Sequence, residues 1–194
     1  LWQFDNEGNH KIIYEDTLNA HNGPNDLWID AKNGIYFTDP LYVRNYWKRD
    51  SISKRNGKNV YYLSSDRKSI TTVDDNLVQP NGIVGTPDGK KLYVADIGDS
   101  KTYVYDIQKD ATLTNRKIFC EMGSDGMTVD NQGNVYLTGN GVHVFDKNGK
   151  KIAHIPVPES WTANVCFGGK DFNILFITAM DSVYGLKMNV KGVR

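Results

Sequence analysis

One phrase returns four times in this sequence: a polar residue, a short apolar run, a tight turn and a second apolar run. The copies read "GPNDLWIDAKNGIYFTDP", "QPNGIVGTPDGKKLYVADI", "GSDGMTVDNQGNVYLTGN" and "TANVCFGGKDFNILFITAM". Their leading polar residues are Asn25, Asn81, Asp125 and Asn164, at spacings of 56, 44 and 39 residues. A period of roughly 40–45 residues with four strands per unit is that of a β-propeller blade. The constraint is physical: so small a unit cannot bury its own apolar faces, so each copy must stack on the next. At about 42 residues per blade, the 194 residues make roughly four and a half blades.

Local patterns agree. Helical periodicity is scarce, and short apolar or alternating runs such as "NVYYL", "KTYVYDI" and "GVHVFD" are separated by turn signals. Asn-Gly, Asp-Gly and Gly-Lys pairs suit the positive φ values of tight hairpins. The expectation is an all-β chain, residues 1–194 forming a single propeller domain with no linker to a second one. A propeller closes as a ring, because an open ring leaves blade edges and faces unpaired. The chain opens at Leu1 with "LWQFDNEGNHKIIYED", which reads as the middle of a strand-turn-strand unit. N-terminal blades are therefore expected to be absent from this chain, as a missing segment or as a contribution from another chain.

Composition narrows the partners. With 23 basic and 23 acidic residues, nothing points to nucleic acid, a membrane surface or an acidic partner. No run approaches the roughly 18 apolar residues of a membrane span. Cys120 and Cys166 are too few for a disulfide framework and could pair or stay free. The excess length between Asn25 and Asn81 falls in "LYVRNYWKRDSISKRNGKN", which holds Arg44, Lys48, Arg49, Lys54, Arg55 and Lys58. This is either a solvated loop or a lid over a site.

In a blade the innermost strand runs from one face to the other and the second strand returns. Residues before the first strand and after the second therefore share a face. That logic places Asn25, Asn81, Asp125 and Asn164 around one channel mouth, with Asp39, Asp96 and Asn140 in an outer ring. Neutral amide oxygens with a carboxylate suit a hard divalent cation such as calcium, which takes six to eight oxygen ligands. Zinc fits poorly, since no His or Cys occupies these positions. The plainer alternative is that Asn and Asp before a strand bond their own backbone in turns. Asp26 could orient Asn25 or cap a turn. His21 is a candidate proton shuttle, and His10, His143 and His154 read as structural. Trp161 and Tyr42 flank the same face. Ser124 has no visible base partner, so a serine-hydrolase reading is poor.

At these residues the chain resembles the gluconolactonase/regucalcin (senescence marker protein) family of six-bladed propellers. "GPNDL" with "GIYFTDP", "QPNGI" with "KKLYVAD", and "SDGMTVD" with "GNVYLTG" follow the family's order. The resemblance implies a divalent metal, usually calcium, at the channel mouth. It implies Asn81 and Asp125 as ligands, with Asn25 on the metal or on substrate beside it. It also gives Asp125 the acid/base role, with direct attack by its carboxylate as a nucleophile the alternative. The family's remaining ligand, a Glu in the first blade, has no counterpart here. The implied reaction is hydrolysis of a sugar lactone such as gluconolactone, with substrate contacts from Asn25, Asp26, Asn164 and Asp39. Alternatives are another ester or an organophosphate at the same site, or a non-catalytic propeller that binds a ligand or protein.

Overall fold

The computed structural model describes residues 1–16, 21–46 and 57–193. Among them are seventeen strands and no helix. A two-stranded hairpin, β1 (Trp2–Phe4) and β2 (His10–Ile12), comes first. A four-stranded sheet follows, made of β3 (Leu27–Ile29), β4 (Ile35–Asp39), β5 (Asn59–Leu63) and β6 (Ile70–Asp74). The second sheet holds β7 (Pro80–Gly85), β8 (Lys91–Asp96), β9 (Lys101–Ile107) and β10 (Leu113–Cys120). The third holds β11 (Met127–Val129), β12 (Val135–Gly139), β13 (Gly141–Phe145) and β14 (Lys151–Ile155). The last has three strands, β15 (Thr162–Gly168), β16 (Ile174–Ala179) and β17 (Ser182–Lys187). Every pairing is antiparallel and sequential, so four propeller blades and a half-blade hairpin stand where the repeat put them.

Alternation of side chains explains why the second strands read as near-continuous apolar runs. Each central sheet is covered on both faces, so both sets of a period-two pattern must be apolar. On β4, Tyr36 joins Leu92, Val94 and Tyr105 of the second sheet, whereas Ile35 and Phe37 face Leu1, Ile13 and Tyr14. On β8, Tyr93 and Ala95 turn instead toward Val129, Leu137 and Phe145. Tyr136 on β12 then packs with Val165, Phe167, Leu175 and Ile177. The ends differ. On the last sheet Phe176 and Val183 are exposed, as are Trp2, Phe4 and Ile12 on the hairpin.

Turn chemistry is repeated too. After β3, Asp30 Oδ1 accepts the Lys32 and Gly34 N–H groups at 2.8 and 2.7 Å. After β11, Asp130 Oδ1 accepts those of Gln132 and Asn134, both at 2.9 Å. These Asx turns set the hairpin between inner and second strands. Two of the Asn-Gly and Asp-Gly pairs are not turns, however. Gly82 and Gly126 keep ordinary φ values within the inner ring. They are glycines because the next blade comes too close: a Cβ on Gly82 would lie 2.5 Å from Asp125 O, and one on Gly126 would lie 2.2 Å from Asn164 Oδ1. The glycine after Asn81 and the glycine after Asp125 are what let Asn81, Asp125 and Asn164 crowd together.

The two cysteines do not pair: Cys120 is buried and Cys166 exposed. Of the basic loop, Lys48, Arg49, Lys54 and Arg55 lie outside the described residues, and the lid reading with them. Arg44 is described, its guanidinium 5.7 Å above the Tyr42 ring.

Candidate functional site

The inner strands bring the polar residues of the repeat to one end of the channel. Asn25 and Asp125 hold the same place, two residues before β3 and β11, while Asn81 and Asn164 are the second and third residues of β7 and β15. The backbone is tied from blade to blade. Gly82 N donates to Ser124 O at 3.3 Å, and Gly126 N donates to Ala163 O at 2.9 Å. A threonine reinforces this at the matching position of the second strand. Thr38 Oγ1 donates to Asn81 O at 2.8 Å. Thr138 Oγ1 donates to Ala163 O of the next blade at 3.3 Å, while Thr178 Oγ1 accepts the Asn164 N–H within its own blade at 3.0 Å. The signal was present as "FTD", "LTG" and "ITA" in the repeat; only the blade-to-blade contact gives it meaning.

Asn81 and Asp125 form the centre. Asn81 is 3% exposed. Its Nδ2 donates to the Tyr42 hydroxyl at 2.7 Å, and its side chain lies beside the Asp125 carboxylate. Its Oδ1 is buried with no partner among the described residues. Trp161 Nε1 donates to Asp125 Oδ2 at 3.3 Å. Burial pushes the Asp125 carboxyl above its ordinary value, and the Trp161 and Asn81 side chains pull back against it. Tyr42 and Trp161 thus hold the polar pair directly.

Asp26 closes the inner side. Its Oδ2 accepts the Ile83 N–H of the next blade at 3.1 Å and its Oδ1 accepts its own neighbour Leu27 N–H at 2.9 Å. Burial raises its carboxyl to about 6, with the charge of Asp125 adding to the rise. So Asp26 is a tie between blades rather than a turn cap, and its oxygens are committed to backbone. Asn25 is exposed at the rim, its N–H bonded to Thr38 O at 2.9 Å. Asn164 is exposed beside Gly126, with Oδ1 held by Val165 N at 2.7 Å.

Asp39 is not at the mouth. It is fully buried, and its oxygens accept His21 Nδ1, Asn22 N and Gly23 N at 3.1, 3.1 and 2.8 Å. Asp96 does the same for Val78 and Gln79 at 2.7 and 2.8 Å. These carboxylates follow the second strand and pin the segment before the first, which explains the outer ring without a ligand. His21 is consumed in that cluster, its Nε2 facing Tyr14 OH at 3.3 Å, so it is no shuttle. His143 and His154 stack at 4.5 Å and share the Asn140 carbonyl, away from the channel. A cavity of about 380 Å³ lies at the rim between the first two sheets. Its charges are spent on each other, Tyr105 OH and Arg116 Nη1 both donating to Asp74 Oδ2, at 2.9 and 3.3 Å.

Among the described residues no three His, Cys, Asp or Glu side chains cluster as they would to hold a metal ion. The donor set is instead oxygen from amide and carboxylate, the chemistry of calcium or magnesium. The unpartnered Asn81 Oδ1 is the observation that fits such a cation, since a buried polar oxygen without a partner costs about 1–3 kcal/mol.

Fold and site together define a β-propeller with an oxygen-rich channel mouth. The chain belongs to the family described as SMP-30/Gluconolactonase/LRE-like region, which it matches over residues 1–181. It is 31% identical over 186 residues to a gluconolactonase of Zymomonas mobilis, covering 88% of this chain and 52% of that protein. It is 30% identical over 169 residues to the lactonase drp35 of Staphylococcus saprophyticus, covering 81% and 49%. A solved gluconolactonase structure from Xanthomonas campestris superposes with a TM-score of 0.83 at 27% identity, over 99% of this chain and 65% of that one. The chain therefore spans about half the length of the curated relatives it matches.

Proposed function

We propose that this chain carries most of the active site of a divalent-cation-dependent lactonase that opens a sugar lactone such as gluconolactone. The observation that carries the reading is the Asn81–Asp125 pair, a buried amide oxygen without a partner beside a desolvated carboxylate. The names of the relatives supply the reaction class. Asn81 Oδ1 and Asp125 would hold the cation, with Asn25 at its edge and a Glu outside this chain completing the set. Calcium is the expected ion, and bound there it supplies Lewis-acid polarisation of the lactone carbonyl.

The chain's own groups do the rest. Asn164, its Oδ1 fixed on Val165, offers its Nδ2 hydrogens to a lactone hydroxyl, and Asn25 does the same from the opposite side. Asp26 and Asp39 are too committed to backbone N–H groups to share this work. Asp125 takes the proton of the attacking water. The water oxygen bonds to the carbonyl carbon, the ring C–O bond breaks, and the proton passes to the departing alkoxide. Trp161 keeps the Asp125 carboxylate aimed. We further propose that sheets not in this chain cover Phe176, Val183, Trp2 and Phe4 and close the ring.

The test is acid release from gluconolactone in a pH-stat with the natural-length protein, with and without chelator. Release that stops with chelator and returns with calcium is expected, and Asp125→Asn should lower kcat at least 100-fold while the protein stays folded. No release above the spontaneous rate with calcium in excess would overturn the reading and leave a binding propeller or another ester as the function.

A further inference from the structure

A metal-binding asparagine has a weakness that a carboxylate lacks. Its amide is nearly symmetric in shape, yet only one of its two orientations presents oxygen to a cation. The backbone of Asn81 is fixed, its carbonyl held by Thr38 Oγ1 at 2.8 Å. What remains is rotation about the last side-chain bond. Asn81 Nδ2 carries two hydrogens and has two neighbours to receive them, the Tyr42 hydroxyl at 2.7 Å and the Asp125 carboxylate. Asp125 is shared with the cation whenever one is bound; Tyr42 is not.

We propose that Tyr42 is a positioning residue for the cation site, its hydroxyl holding the Asn81 amide so that Oδ1 stays turned to the metal. This rests on the cation reading above. The hydroxyl has a fixed neighbour: the Gln79 side chain sits beside it, its Nε2 anchored on Leu41 O at 3.0 Å. Burial keeps Tyr42 a neutral phenol, able to accept from Nδ2 without adding charge to the site. Two hydrogen-bonded pairs, Tyr42–Asn81 and Asp125–Trp161, therefore meet side by side, and the buried Asn81 oxygen without a partner lies between them. Outer partners of this kind commonly control metal affinity by about 10–100-fold.

The experiment is calorimetric titration of calcium alone into the chelator-stripped, natural-length protein, for wild type, Tyr42→Phe, Asn81→Asp and the double variant. Tyr42→Phe is expected to weaken calcium affinity about 10–100-fold while leaving the metal-free melting temperature within a few degrees. In the Asn81→Asp background both ends of the side chain are oxygen and orientation ceases to matter. There, Tyr42→Phe should cost no more than about threefold, a coupling that a merely structural tyrosine would not show. Equal calcium affinity for wild type and Tyr42→Phe would overturn the proposal, as would the same loss in both backgrounds. A wild-type protein that takes up no calcium would overturn the cation site itself and this role with it. Gln79→Met, which removes the hydroxyl's polar neighbour from outside the site, should show a smaller loss with the same dependence on residue 81, and it answers the question should Tyr42→Phe fold poorly.

Discussion

Asp26 is a carboxyl that the fold would rather keep protonated, and stability should say so. Burial lifts it from 3.8 to about 6. The sign follows from proton binding. Between those values the folded state holds more protons than the unfolded chain, so stability falls as pH rises. The contribution is fully present below about 3.8 and lost as pH climbs through about 6. A displacement of that size is worth about 3 kcal/mol, a ceiling because water at the channel mouth screens the charge. Other carboxyls work the opposite way: hydrogen bonds to Tyr103 and Lys101 hold Asp99 below its usual value, and those to Lys91 and Asn115 do so for Asp106. They are common to wild type and Asp26→Asn and cancel in the difference. Urea unfolding of both proteins from pH 3.5 to 7.5 in chelator isolates the effect. Wild type should lose stability relative to Asp26→Asn by roughly 1–3 kcal/mol across the window. Calcium in excess should flatten the difference, because positive charge beside Asp125 favours the ionised form. A difference that does not change with pH would refute the buried-carboxyl argument.

Three further outcomes follow from the same geometry. Gly126→Ala places a methyl 2.2 Å from Asn164 Oδ1 and should destabilise by about 1–3 kcal/mol in chemical denaturation, with weaker substrate binding as Asn164 is displaced. Thr38→Val keeps shape but removes the hydroxyl that donates to Asn81 O and accepts Asp26 N, and should cost about 1–3 kcal/mol by the same assay. In this 194-residue chain a thiol reagent should modify exposed Cys166 at once and buried Cys120 only on unfolding. The Cys120 thiol, pushed up to about 11 by burial, gives the second reason for its inertness.

Much of the architecture was legible because a propeller is a local object. Each unit announces itself by its own strands and tight turns, and the period alone counts the blades; Asp30 and Asp130 close their turns on residues two and four places along the chain. That Asn25, Asn81, Asp125 and Asn164 stand at the same end of their hairpins was legible for the same reason, since strand direction fixes which residues share a face. The jobs of individual side chains were not. Asp26, Asp39 and Asp125 are all aspartates at a strand end, and only tertiary contacts decide that the first ties two sheets, the second pins the segment before its own blade and the third meets Trp161. Nor could sequence show that Gly82 and Gly126 serve close approach rather than a turn, or that Tyr42 and Trp161 bracket Asn81 and Asp125 from separate parts of the chain. The sequence by itself determined the repeat, because hairpins form from residues close along the chain. Tertiary structure decided the site, because burial and hydrogen-bond partners there come from residues 36 to 57 positions away.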